Sequence, residues 1–161
     1  MTEPALTHVD TTGAARMVDV SAKETTVRRA VASGVLSTTA AVVDLLRDGA
    51  LPKGDALATA RIAGIMAAKR TPDLIPLCHP IAISGVTVDL VLDTDSIRIT
   101  ATVRTADRTG VEMEALTAVA VAGLTLHDMV KAVDPAAVLD AVRVDVKEGG
   151  KTGLWNRPEG R

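Results

Sequence analysis

The sequence predicts an α+β fold: a ferredoxin-like antiparallel sheet with helices packed on one face. Two observations predict it. The elements follow the order strand, two helices, strand, strand, helix, strand, and a short polar turn joins the two middle strands into a hairpin. Such a sheet leaves its second face to be covered. Together with Ala- and Gly-rich helices that carry few charges, this favours an obligate oligomer.

The first half of the chain supplies one strand and two helices. Thr26–Leu36 is rich in β-branched residues and predicts a strand. Ser37–Thr39 offers an N-cap for a short helix over Ala40–Arg47. A turn then ends in a second N-cap, Asp55, which starts an Ala-rich helix over Ala56–Lys69.

The second half begins with a proline-rich stretch and ends in a strand. Three prolines in Thr71–Pro80 predict a rigid extended loop rather than a helix. Val86–Leu92 and Ile97–Arg104 alternate as the strands of the hairpin. Glu112–Val133 predicts a long helix with acidic residues early and a lysine late, as the helix dipole favours. Val138–Lys147 predicts the last strand.

Composition limits the organisation and the class of partner. We expect one catalytic domain over residues 21–155, a mobile arm at 1–20 and a flexible tail at 156–161. Net charge is −2, which does not favour bulk nucleic acid or membrane surfaces as partners. One Trp and no Tyr or Phe leave no set of rings on which bases could stack. A single cysteine, no apolar leader and no uninterrupted apolar run of membrane length predict a cytoplasmic location.

Two segments offer chemistry from loops. Lys53 lies in a turn at a helix start, where it can bind phosphate; an exposed, solvated lysine is the simpler interpretation. His79, in a proline-fixed loop, suits general acid or base catalysis, but it can equally bind a backbone carbonyl. Its neighbour Cys78 is either a nucleophile or, more simply, a buried inert thiol.

The predicted long helix carries polar groups at both ends. Glu112 and Glu114 open it, while Asp128 and Lys131 lie three residues apart near its end. Helix-dipole compensation and a solvated ion pair explain both sets without function. Glu112 and Asp128 are separated by about 24 Å of helix. If both ends serve one small substrate, the site must combine two subunits.

The sequence gives little support for a bound metal or a hydrolase triad. Its candidate nitrogen and sulfur ligands show no zinc-binding spacing, and a GxSxG turn is absent. We therefore expect no metal site. The candidate metal ligands are His8, Cys78, His79 and His127.

The glycine-rich segment Lys147–Lys151 either clamps phosphate or forms a solvated loop.

Four stretches together resemble the cyclic pyranopterin monophosphate synthase family, also called molybdenum cofactor biosynthesis protein C. They are MVDVSAK at 17–23, KGDALATARIAGIMAAKRTPDLIPLCHP at 53–80, TGVEMEALTAVAVAGLTLHDMVKAVD at 109–134 and KEGGKTG at 147–153. The resemblance covers nearly the whole chain beyond about residue 16. It is far more specific than any single motif above.

The resemblance implies an activity and an assembly. Family members rearrange 3′,8-cyclo-7,8-dihydro-GTP, made by a radical enzyme, to cyclic pyranopterin monophosphate and release pyrophosphate. The implied enzyme is a ferredoxin-like lyase, a hexamer built as three dimers, with sites at a subunit interface. The resemblance leaves open whether Mg²⁺ accompanies the triphosphate, and no other cofactor is expected. A non-catalytic nucleotide- or pterin-binding module and a purely structural oligomer are the alternatives.

The resemblance also implies site residues. Proton transfer at the ring system falls to Asp128 and Lys131, and polar steering or phosphate contact to Lys53 and His79. One departure stands at the end of the helix, where the family commonly has Tyr-Asp-Met-Cys-Lys and this chain has His127, Asp128, Met129, Val130 and Lys131. The substrate-binding set implied is Glu112, Glu114, Lys69, Lys147, Arg28, Cys78 and Met113.

Overall fold

One antiparallel sheet of five strands organises the chain, and the computed structural model describes residues 8–151 and 153–160. The strands are β1 (Thr26–Ser37), β2 (Ile83–Leu92), β3 (Ser96–Asp107), β4 (Val138–Glu148) and β5 (Trp155–Asn156). Their order across the sheet is β2-β3-β1-β4-β5. Every pair is antiparallel, which confirms the predicted fold class.

Four helices complete the fold of the described residues. They are α1 (Ala40–Arg47), α2 (Ala56–Ala68), α3 (Thr71–Leu74) and α4 (Glu112–Val130). The predicted caps are confirmed, because the side chains of Thr39 and Asp55 accept hydrogen bonds from backbone N–H groups in the first turns of α1 and α2.

The prediction of an extended loop over the whole of Thr71–Pro80 was wrong at its start, where α3 forms one turn. Pro72 occupies the first turn of α3, where its missing N–H removes no hydrogen bond. The buried Thr71 hydroxyl also donates to the carbonyl of Ala68 at the end of α2. Pro76 lies in the turn at residues 75–77, and beyond that turn the chain has no regular structure as far as β2, so the loop prediction is confirmed only for its last residues, around Pro80.

Several other element ends differ from the sequence pattern, among them the start of β2, which lies at Ile83 instead of Val86. α4 ends at Val130 instead of Val133, because the last predicted residues form a turn that bonds back to the Val130 carbonyl. β5, which was not predicted, spans two residues and pairs with the end of β4.

The core lies between the sheet and the layer formed by α2 and α4. Alternate residues of β1 and β3, among them Leu36 and Ile99, are fully buried beneath α4. A Cβ on Gly64 would lie 2.9 Å from the carbonyl oxygen of Ala118, so glycine permits the close contact of α2 with α4. This contact fixes α4, whose two ends carry the candidate site residues.

The opposite face of the sheet is open in the single chain. Val27 is 75% exposed and Val91 is 49% exposed, and both lie on this face. The sequence predicted that a second copy of the chain covers this face.

Among the described residues, one helix, α4, has the length and mean hydropathy of a membrane span. Its most apolar window is 56% buried inside the chain. The buried side faces the sheet and α2, as expected for the core helix of a folded domain.

The N-terminal segment contains local structure before β1 begins. Val9 and Ala15 form an isolated antiparallel bridge, and Lys23 closes a turn onto the carbonyl of Val20. The arm predicted over residues 1–20 begins in residues 1–7, which lie outside the described part. Its mobility stays a prediction.

Candidate active site

The two ends of α4 carry two separate groups of polar residues. At the C-terminal end, Lys53, Asp128 and Lys131 form what we call the distal cluster. At the N-terminal end, Glu112 and Glu114 face a cleft of about 720 Å³. Sixteen residues of continuous helix, about 24 Å, separate Glu112 from Asp128, so one chain does not bring the two groups together.

The distal cluster is built around one carboxylate. Lys53 Nζ lies 2.9 Å from Asp128 Oδ2 and 2.8 Å from the Asp128 backbone oxygen. Lys131 Nζ lies 2.7 Å from Asp128 Oδ1. The turn before α2 supplies Lys53, the last turn of α4 supplies Asp128, and the C-cap of α4 is Lys131. The cluster therefore depends on the packing of α2 against α4.

The charges of the distal cluster set its protonation. Hydrogen bonds from Lys131 and then Lys53 lower the pKa of Asp128 to about 2. The carboxylate is ionised at neutral pH and holds two ammonium groups on an exposed surface. Each ammonium keeps further N–H donors, so the cluster can offer positive charge and protons to an anionic ligand.

The cleft lies where four parts of the chain meet. The N-terminal segment forms one wall, the stretch after α3 a second, and the first turn of α4 a third. The start of β1 and the end of β4 form the fourth. The lining residues are His8, Val18, Val20, Lys23, Arg28, Ile75, Leu77, Cys78, His79, Ile81, Arg108, Thr109, Gly110, Glu112, Met113, Glu114 and Lys147.

Several cations line the cleft. Arg28 donates from Nε to the backbone oxygen of Asp107 at 3.0 Å and from a terminal nitrogen to the oxygen of Arg108 at 3.2 Å. Lys147 Nζ lies 2.8 Å from Glu112 Oε1. Lys23 and Arg108 form no ion pair within the part of the chain described above. Clustered cations of this kind suit a polyphosphate ligand.

Glu114 is the most unusual residue of the cleft. It is 2% exposed, and its Oε2 has no hydrogen-bond partner among the described residues. Burial, and to a smaller extent the negative charge of Glu112, together raise its pKa from 4.5 to about 7. Burial, and then the charge of Glu114, also raise the pKa of the Cys78 thiol, which disfavours a nucleophilic thiolate.

His79 faces the cleft from the segment before β2. Its Nε2 lies 2.7 Å from the backbone oxygen of Val18. The oxygen can only accept, so Nε2 carries the hydrogen of this bond. Backbone bonding was one of the two interpretations that the sequence left open for His79.

Most predicted site residues fall into one of the two groups. The exception is Lys69, which is exposed at the C-terminal cap of α2 and belongs to neither. Sequence reasoning did not select Lys23 as a site residue, although it ends the first stretch that carried the resemblance. Arg108 was also missed. The available signal was its position directly before Thr109 and Gly110, which begin another of these stretches.

The departures at the end of α4 are compatible with packing. Val130 is fully buried in the core, so a small apolar side chain fills the place of the family's cysteine. His127 is partly exposed on the turn that precedes Asp128. Within the described residues no group of three potential ligands is close enough to hold a metal ion.

A sequence model of the MoaC family matches residues 17–150, which include both ends of α4 and every predicted site residue. The chain belongs to the MoaC family. This confirms the resemblance seen in the sequence.

Named MoaC-family relatives match over nearly their full length. The cyclic pyranopterin monophosphate synthase of Streptomyces griseus subsp. griseus is 65% identical over 161 residues, covering 99% of this chain and 91% of the relative. That of Streptomyces coelicolor is 67% identical over 152 residues, covering 94% and 89%. That of Corynebacterium efficiens is 58% identical over 151 residues, covering 94% and 97%.

Proposed function

We propose that this chain is a cyclic pyranopterin monophosphate synthase, a lyase of molybdenum cofactor (molybdopterin) biosynthesis. It converts 3′,8-cyclo-7,8-dihydroguanosine 5′-triphosphate to cyclic pyranopterin monophosphate and releases pyrophosphate. The observation that carries the proposal is the near-full-length identity to synthases of that name, at 65% and 67%. The presence of polar side chains at both ends of α4 supports it.

The cleft binds the substrate in this proposal. Arg28 and Lys147 bind the triphosphate, and Lys147 does so by exchanging its contact with Glu112 for phosphate oxygens. Glu112 and Glu114 present carboxyl groups to the N–H donors of the guanine-derived ring. Cys78 and Met113 contribute less polar parts of the cleft lining.

The distal cluster supplies the chemistry. Ring opening and closure require proton donors, which the Lys53 and Lys131 ammonium groups offer, and a proton acceptor, which the ionised Asp128 carboxylate offers. Departure of pyrophosphate requires cations close to the leaving oxygens. His79 belongs to the cleft and not to this cluster.

The separation along α4 requires a second copy. We propose that the cleft of one subunit faces the distal cluster of its neighbour, in a homo-oligomer that is a hexamer built as three dimers. The open sheet face and its exposed valines support self-association. Lys69 contacts the triphosphate only if assembly brings it to a neighbouring cleft.

The remaining parts of the proposal concern the setting. The protein acts in the cytoplasm without nucleic acid or membrane partners. We propose no resident metal, and Mg²⁺ would arrive, if at all, with the triphosphate as part of the substrate. In that case Mg²⁺ would change KM and leave the thermal stability of the free protein unchanged.

Pyrophosphate release from the purified chain tests the proposal. The substrate is 3′,8-cyclo-dihydro-GTP, and the variant is Lys131→Ala. Its matched control is Arg47→Ala, because Arg47 and Asp44 form an exposed ion pair of the same three-residue spacing on α1. Release by wild type and Arg47→Ala but not by Lys131→Ala supports the assignment. Tight binding by wild type without release would indicate a non-catalytic binding module.

A further inference from the structure

One carboxylate ties the turn after α4 to the end of β1. Asp134 Oδ2 accepts a hydrogen bond from the Thr38 hydroxyl at 2.7 Å, across 96 positions of sequence. Asp134 Oδ1 accepts from the backbone N–H of Ala136 at 3.0 Å, within the turn that follows. Both carboxylate oxygens are therefore engaged, one in a tertiary contact and one in a local contact. Neither Thr38 nor Asp134 lines the cleft.

This link lies beside Lys131 of the distal cluster. Val130 is fully buried, but Lys131 begins an exposed run of three residues that ends at the partly buried Asp134. The Lys131 N–H bonds to the His127 oxygen at 2.9 Å. The N–H groups of Val133 and Asp134 share the Val130 oxygen. These are the last bonds of a helix end, where fraying is easiest, and the Asp134 carboxylate holds this end from outside the helix.

The same link reaches the element that leads to Lys53. Thr38 directly precedes Thr39, the N-cap of α1, and its own N–H bonds to the Asp95 oxygen in the turn between β2 and β3. α1 is followed by the turn that carries Lys53. Lys53 and Lys131 contact the same carboxylate although they come from different elements. A bond that joins the start of one element to the end of the other fixes their relative position.

We infer that Asp134 is a positioning residue of the distal cluster, which accepts from Thr38 and so holds Lys131 where its ammonium group serves the reaction. The inference rests on the proposed function for the identity of that reaction. In this assignment Asp134 neither binds substrate nor transfers a proton. Because the substrate is bound in the cleft, loss of the link acts on the chemical step and leaves binding intact.

Substitutions at both ends of the link separate positioning from a general loss of folding. Asp134→Ala removes both acceptors, Thr38→Val removes the donor and keeps its shape, and Thr38→Ser restores the donor. We expect Asp134→Ala and Thr38→Val to lower kcat by about fivefold to tenfold, the value of one net hydrogen bond, with KM within about twofold. We expect wild-type kcat in Thr38→Ser. A raised KM with unchanged kcat in Thr38→Val, or equal kcat losses in Thr38→Ser and Thr38→Val, would overturn the inference.

Thr125→Val is the matched control for the loss of a hydroxyl group. The Thr125 hydroxyl donates to the Val121 oxygen within α4 and joins no second element. Its kcat should stay within about twofold of wild type, and a loss as large as that in Thr38→Val would count against a specific link.

A double-mutant cycle tests the route from Thr38 through Asp134. With Asp134 already replaced by Ala, Thr38→Val should change kcat by less than about twofold, because its acceptor is gone. Additive losses from the two substitutions would show that Thr38 acts by another route and would overturn the inference.

Hydrogen exchange of the full-length chain gives a readout that needs no turnover. Peptides that span residues 131–134, followed by mass spectrometry, report opening at the end of α4, because these N–H groups bond to helix carbonyls. We expect exchange about fivefold to tenfold faster in Thr38→Val, and near the wild-type rate in Thr38→Ser and Thr125→Val. Unchanged exchange in Thr38→Val overturns the inference. If wild type does not release pyrophosphate, the proposed function fails, and the exchange rates still decide whether the link holds this end of α4.

Discussion

Glu114 couples the stability of the chain to pH, and replacing it with Gln exposes this coupling. The carboxyl group is 2% exposed with one oxygen unpartnered among the described residues. Its pKa is raised from 4.5 to about 7. Between these two values the folded chain holds a proton that the unfolded chain has released, so stability falls as pH rises.

The shift sets the magnitude. A rise from 4.5 to about 7 corresponds to about 3 kcal/mol of stability lost between pH 4 and pH 8. Glu114→Gln keeps the shape of the neutral acid and cannot ionise. Its free energy of unfolding should match that of wild type near pH 4. It should exceed the wild-type value by up to about 3 kcal/mol at pH 8.

Urea unfolding at a series of pH values, with protein concentration held constant, measures the difference. Glu159→Gln is the matched control, because Glu159 is exposed and the substitution removes one charge in the same way. A difference between Glu114→Gln and wild type that is the same at pH 4 and pH 8 would refute the reasoning. It would show that the folded chain does not disfavour the ionised form of Glu114.

Three further predictions concern the core, the thiol and the distal cluster. Gly64→Ala should lower the free energy of unfolding by about 1–3 kcal/mol, because its Cβ would meet the Ala118 oxygen. Gly85→Ala, which meets nothing within 4 Å, should stay within about 0.5 kcal/mol in the same urea assay, and equal effects would contradict the packing argument. Cys78 should react with iodoacetamide more slowly than free cysteine at neutral pH, and Glu114→Gln should accelerate it by removing a negative charge; no acceleration would count against that contact. Lys53→Ala should reduce turnover by about 100-fold or more while changing stability by less than about 1 kcal/mol, since its ion pair is exposed; normal turnover would remove Lys53 from the site.

The fold was predictable because local signals agreed with the tertiary structure. β-branched alternation marked β1 and β3, and the Thr39 and Asp55 caps marked the starts of α1 and α2. The signals were weaker where a tertiary contact decides the outcome. α3 forms because Thr71 is buried against the end of α2, and β5 exists because β4 offers an edge; neither contact is visible in a local pattern.

The site was predictable in residue type and only partly in arrangement. Helix geometry alone separated Glu112 from Asp128, and the structure confirms that separation. It could not show that Lys53 meets Asp128, because that contact joins positions 75 residues apart through the packing of α2 on α4. The link from His79 to Val18 was hidden for the same reason, since backbone acceptors leave no mark in the sequence.

Mixing two inactive variants tests the central claim that the cleft of one subunit works with the distal cluster of another. Glu112→Ala disables the cleft and Lys131→Ala disables the distal cluster, so neither should release pyrophosphate alone. In a mixed dimer one of the two sites receives intact groups from both chains. Unfolding and refolding an equal mixture should therefore restore about a quarter of wild-type release. No recovery, in mixtures shown to exchange subunits, would contradict a shared site.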